Sequence, residues 1–86
     1  MTLDEIRAEI DVIDNGMAVL LARRMALAAE VAATKRETGA PILHPERERA
    51  IIARLGKRME PQYLPALETI YEAIFRASRE YQETLM

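Results

Sequence analysis

The residues Leu3, Ile6, Ile10, Ile13, Met17, Leu20, Arg24, Leu27, Val31 and Thr34 recur at alternating steps of three and four. That is the heptad rhythm of a buried stripe on one face of an α-helix, and its phase is unbroken. The spacing predicts one helix from about Leu3 to Glu37. At 1.5 Å per residue it would be roughly 50 Å long. A compact chain of 86 residues has a radius of gyration of only about 12 Å. The rest of the chain cannot cover so long a stripe. The remainder calls for a second copy, most simply a two-fold dimer in which the long helices pack together.

Local signals agree with the boundaries of this helix. Thr2 can cap its start, and Asp4 and Glu5 fall in the first turn, where the helix dipole favours acids. Gly39 suits a left-handed cap and Pro41 cannot continue the helix. Asn15-Gly16 is the one competing turn signal. Because the heptad phase passes through it, and a mid-helix glycine costs only about 1 kcal/mol, continuity is the better reading.

A second helix is expected from Pro45, a residue favoured at the first helical position, to about Met59, with Glu48, Ile51, Ile52, Leu55 and Met59 on one stripe. A third should follow Glu60-Pro61 and carry Leu64, Leu67, Ile70, Tyr71, Ile74, Phe75, Ser78, Gln82 and Leu85, with Pro65 confined to its first turn. Tyr71, Phe75 and Tyr81 read as core. No alternating strand pattern, repeat or low-complexity linker appears. The expected fold is all-α, a single domain over residues 1–86 with three helices per chain, one of them very long, in an intertwined helical homodimer.

Composition excludes several functions. With 12 basic and 14 acidic residues and a net charge of -2, the chain lacks the basic excess of a nucleic-acid binder. It has no cysteine and a single histidine, so neither a disulfide framework nor a thiolate or histidine metal site is available. The N-terminus is charged from its fourth residue and is no signal peptide. No apolar run approaches the roughly 20 residues that span a bilayer. A cytoplasmic protein without membrane or nucleic-acid partners is expected.

What remains is a set of polar groups on apolar faces. Arg24 occupies the seam of the first helix, where an unpaired, dehydrated arginine would cost several kcal/mol. Lys35 follows about three turns later and points nearly the same way. Glu48, with Arg47 beside it, interrupts the second stripe, and Ser78 and Gln82 stand four residues apart on the third. Taken singly, each has an ordinary reading. Arg24 can snorkel to the surface or pair with an acid, Lys35 can belong to a solvated charge run, and Glu48 can answer the helix dipole. Ser78 and Gln82 lie near a chain end, and His44 before Pro45 reads as a surface turn residue. Together they describe a pocket for a small anion bearing carboxylates, a hydroxyl and an ether or carbonyl oxygen. No Ser–His or Cys–His pair and no glycine-rich phosphate loop is present. Rate enhancement would come from orientation and electrostatics rather than covalent steps.

The segments IRAEIDVID (6–14), LLARRMALAAEVAATK (20–35), PERERAII (45–52) and SREYQ (78–82) resemble the all-helical chorismate mutases over nearly the whole chain. The resemblance implies a homodimer with two active sites and conversion of chorismate to prephenate. That reaction is a pericyclic Claisen rearrangement on the way to phenylalanine and tyrosine, and it needs neither cofactor nor metal. Position by position, Arg24 matches an arginine that grips a substrate carboxylate, and Arg7 one delivered from the partner subunit to the other carboxylate. Lys35 and Gln82 match the two donors to the ether oxygen. Arg47 and Glu48 match a pair near the ring hydroxyl and carboxylate, with Glu48 accepting from the hydroxyl. Ser78 matches a hydroxyl that assists carboxylate binding, and Val31, Ile51 and Phe75 would line apolar walls.

The trans role of Arg7 has separate geometric support. Arg7 and Arg24 are separated by roughly 25 Å along one helix, too far to hold the two ends of one small molecule, whereas an antiparallel partner could unite them. Two departures from the family stand out. His44 stands where some members carry Asp, and Gly16 where a better helix former is expected. Two other functions compete. Isochorismate pyruvate lyase shares the fold and the cationic pocket, and a non-catalytic dimerisation or regulatory module of a shikimate-pathway enzyme would share the dimer. The Arg47-Glu48 pair and the Ser78/Gln82 spacing favour the mutase.

Overall fold

Thr2 opens the long helix with a reciprocal cap. Its Oγ1 accepts from the Glu5 amide at 3.2 Å, and its own amide donates to Glu5 Oε1 at 3.3 Å. Two of the donors that a helix start leaves unpaired are thereby satisfied. The computed structural model describes residues 1–86, and in it α1 runs unbroken from Leu3 to Thr38, straight through Asn15-Gly16. Gly39 ends it at φ 75°, and the Gly39 amide donates to the Lys35 carbonyl at 2.8 Å. A left-handed residue there reverses the chain without the steric cost a Cβ would bring.

Helix α2 spans Pro45–Gly56, with Pro45 in its first turn. His44 caps it: the ring Nδ1 accepts from the Arg47 amide at 3.1 Å. The expected extension to Met59 does not occur. Arg58 and Met59 donate to the carbonyls of Leu55 and Gly56, so the chain tightens into three-residue turns after Gly56. Glu60 is then extended (φ -66°, ψ 143°), the conformation a following proline demands. A short 3-10 turn, Pro61–Tyr63, leads into α3, Leu64–Thr84. Pro65 falls in the first turn of α3, where its missing N–H is harmless. Leu85 lies just beyond α3 and caps it rather than extending its stripe.

Helix α3 packs on both α1 and α2, while α1 and α2 do not pack on each other. The contact is anchored by Ala28 and Ala32 of α1, Ile51 of α2, and Leu67 and Phe75 of α3, all buried. Ala28 and Ala32 stand one turn apart, and their small side chains let α3 approach closely. The residues that α1 buries within its own chain are therefore not those of the heptad stripe. Leu3, Ile6, Ile10, Ile13, Met17 and Leu20 remain 41–60% exposed. Phe75 is buried and meets Tyr71 edge-on at 5.7 Å between centroids. Tyr81, expected in the core, is 38% exposed. At the far end, Arg36 donates to the Leu85 carbonyl at 2.6 Å and ties the last residues to α1. The result is elongated, 53 × 25 × 16 Å, with a radius of gyration of 15.8 Å. No helix is long and apolar enough to cross a membrane.

Candidate active site

Because α3 touches both other helices while they stay apart, it forms the floor of a cleft between them. The cleft has a volume of about 400 Å³, within the range of small-molecule sites. Helix α1 contributes Arg24, Leu27, Ala28, Val31 and Lys35, and α2 contributes Arg47, Glu48 and Ile51. Phe75, Ser78, Arg79 and Gln82 come from α3, and Ile42 and His44 from the connection before α2. Helical spacing explains the alignment. Residues 24, 28, 31 and 35 share one face of α1, as 75, 78, 79 and 82 share one face of α3.

Arg24 is half-buried and makes no ion pair. Its guanidinium lies over the Phe75 ring, 5.8 Å from the centroid, a contact that supports a cation without consuming its charge. Lys35 Nζ donates to the Ile42 carbonyl at 2.6 Å. That bond holds the connection between α1 and α2 against α1, and an ammonium keeps two further donors for a ligand. Facing them, Glu48 pairs through Oε2 with the Arg79 guanidinium. Gln82 Nε2 lies 3.2 Å from Ser78 Oγ, and both residues are buried. Gln82 Oε1 is also buried and has no hydrogen-bond partner. A buried amide atom without a partner typically costs about 1–3 kcal/mol, so its place in the cleft calls for a physical reason.

The arrangement therefore unites nine of the ten residues singled out in the sequence: Arg24, Val31, Lys35, Arg47, Glu48, Ile51, Phe75, Ser78 and Gln82. Arg7 is not brought to the cleft; it is exposed near the other end of α1. Five lining residues stand outside those ten: the apolar Leu27, Ala28 and Ile42, and the polar His44 and Arg79. His44 is exposed, as a surface turn residue should be, but also caps α2 and lines the cleft. Arg79 was hidden inside the SREYQ segment, and only the three-dimensional approach of α3 to α2 reveals its pairing with Glu48. No group of three or more His, Cys, Asp or Glu residues could hold a metal ion. Four cations around one carboxylate, with an amide and a hydroxyl on the floor, suit a small anion with several oxygens.

Residues 6–83 match the sequence profile of the family described as chorismate mutase type II. The chain belongs to that family. It is similar to a chorismate mutase from Methanocaldococcus jannaschii, 49% identical over 55 residues, covering 64% of this chain and 56% of that protein. It also resembles two proteins named T-protein. One, from Enterobacter agglomerans, is 37% identical over 78 residues, covering 91% of this chain and 21% of the relative. The other, from Haemophilus influenzae, is 32% identical over 74 residues, covering 86% of this chain and 19% of the relative. The chain thus matches little more than half of the first relative and about a fifth of the other two. The chorismate mutase type II match takes in α2, nearly all of α1 and α3, and every residue lining the cleft.

Proposed function

We propose that the chain is a chorismate mutase that rearranges chorismate to prephenate for phenylalanine and tyrosine synthesis, in the cytoplasm. The observation that carries this reading is the convergence of Lys35 and Gln82, from two different helices, on one cleft that also holds Arg24 and Glu48. In the rearrangement an ether C–O bond breaks as a C–C bond forms, and negative charge gathers on the ether oxygen. Lys35, already oriented by the Ile42 carbonyl, and Gln82, with its amide turned so that Nε2 faces the cleft, donate to that oxygen as the charge grows. Arg24 holds one carboxylate, assisted by Ser78. Glu48 accepts from the ring hydroxyl with Arg47 nearby, while Val31, Ile51 and Phe75 fix the ring in a reactive conformer. No step transfers a proton or forms a covalent bond to the protein.

The second carboxylate is held by Arg7 of the partner subunit. The exposed stripe Leu3–Leu20 of α1 supports this assembly, because it is continuous and apolar and Arg7 lies within its span. A second copy packed antiparallel along it would bury the stripe and complete two clefts at once. The test is a chorismate-consumption assay with product identification. Prephenate is expected. Salicylate and pyruvate from isochorismate would assign the chain to the lyase instead, and an intact dimer without turnover would make it a non-catalytic module.

A further inference from the structure

Glu48 is the only carboxylate in a cleft that otherwise presents Arg24, Lys35, Arg47 and Arg79. On the reading above it must accept a hydrogen bond from a ring hydroxyl while a doubly negative substrate binds beside it. Two physical obstacles stand in the way. A glutamate has three rotatable bonds, and holding it in one geometry costs up to about 2 kcal/mol of side-chain entropy. A bare carboxylate also repels an incoming dicarboxylate. Both obstacles are met by one neighbour, Arg79, whose guanidinium takes Glu48 Oε2 and leaves no other hydrogen bond on that carboxylate.

We propose that Arg79 is a positioning residue: by pinning one oxygen of Glu48 it presents the other to the substrate's ring hydroxyl and so sets recognition of that hydroxyl. The inference rests on the mutase reading of the cleft. The two side chains bridge α3 and α2. The pair is part-buried, with side-chain exposures of 28% for Arg79 and 24% for Glu48. The bond is a single charge-assisted one, from one guanidinium N–H to Oε2, which leaves Oε1 open to a ligand. Arg79 also offsets the charge of Glu48, so the cleft keeps its attraction for a dianion while retaining an acceptor.

The alternatives make different demands. If Arg79 bound a substrate carboxylate directly, every dicarboxylate ligand would suffer from its loss. If it only held α2 to α3, stability would fall and all ligands would weaken alike. The distinguishing quantity is the contribution of the ring hydroxyl. It is read by calorimetry on the dimeric protein with two inhibitors: a bicyclic dicarboxylate mimicking the rearranging ring with its hydroxyl, and the same compound with hydrogen in its place. Wild type should prefer the hydroxylated compound by about tenfold or more, the range of one hydrogen bond to a charged acceptor. In Arg79→Gln that preference should collapse towards one: both dicarboxylates lose affinity because the cleft carries one positive charge fewer, and the hydroxylated compound loses its additional advantage as well. Arg79→Lys should restore part of it. Glu48→Gln should lose the preference too, and the double variant should lose no more than Glu48→Gln alone. Equal weakening of both compounds in Arg79→Gln, an unchanged preference, or no preference in wild type would each overturn the proposal. Turnover is measured in parallel. A wild type inert towards chorismate overturns the proposed function and this inference together. Normal turnover with an unchanged preference in Arg79→Gln overturns this inference alone.

Discussion

Ser78 and Gln82 stand one turn apart on α3, with the amide nitrogen 3.2 Å from the hydroxyl and the amide oxygen buried without a donor. Turning the amide over would let Ser78 donate to Oε1 and free Nε2 to donate into the cleft. Such a donor suits an ether oxygen gathering negative charge, and a neutral amide provides it at every pH. A glutamate provides it only when protonated. Gln82→Glu should therefore turn over chorismate poorly at neutral pH, where its carboxylate repels the oxygen. Its turnover should recover as the pH is lowered and the carboxylate is protonated. Rate profiles of the variant and wild type, measured side by side, check this; parallel profiles would remove Gln82 from the chemistry.

Lys35 makes a second prediction. Its ammonium is oriented by the Ile42 carbonyl, and on the proposed reading it stabilises charge in the transition state more than it aids initial binding. Lys35→Ala should lower kcat by on the order of 100-fold or more with a much smaller change in KM. Steady-state kinetics decide the matter, and near-normal turnover would return Lys35 to a purely structural role.

A third prediction concerns the shared cleft. Arg7→Ala and Arg24→Ala should each be nearly inactive. If the two variants are unfolded together in equal amounts and refolded, about half the dimers should be mixed. Each mixed dimer then has one doubly damaged cleft and one intact cleft. Activity should climb from near zero towards a quarter of wild type. Failure to climb, with mixed dimers demonstrated, would remove Arg7 from the site.

The glycines of α1 should respond in opposite directions. A Cβ at Gly16 would meet nothing within 4 Å, so Gly16→Ala should raise stability by roughly 1 kcal/mol through helix propensity. Gly39 sits at φ 75°, and Gly39→Ala should lower stability by about as much. Thermal denaturation compares the two. A loss at Gly16 would mark close backbone approach by a second copy.

Much of this was legible in the residue order, for identifiable reasons. The heptad phase carried α1 through Asn15-Gly16, and Thr2, Gly39 and Pro45 marked ends with side chains whose local chemistry admits few other uses. The polar cleft residues Arg24, Lys35, Glu48, Ser78 and Gln82 were legible because each stands on or beside an apolar face, whereas Val31, Ile51 and Phe75 were placed there only by the family resemblance. The end of α2 was less so, since a run of three-residue turns after Gly56 depends on the approach to Pro61. Ala28 and Ala32 leave little trace in the sequence, because small residues beside a stronger stripe carry little periodic signal. Tyr81 departs from the expected core because an aromatic ring does not declare which way its helix faces. Arg79 was invisible for a different reason: its meaning lies wholly in a partner 31 positions away.

Only seven of 86 residues are buried within the chain, while the apolar stripe of α1 lies open. Such a chain has little to gain by folding alone, so folding and pairing should be one event. Its unfolding midpoint should then rise with protein concentration, and dilution alone should melt it. Resistance to denaturation would be expressed for this molecule as a molarity, and how much of it is folded would depend on how much of it has been made.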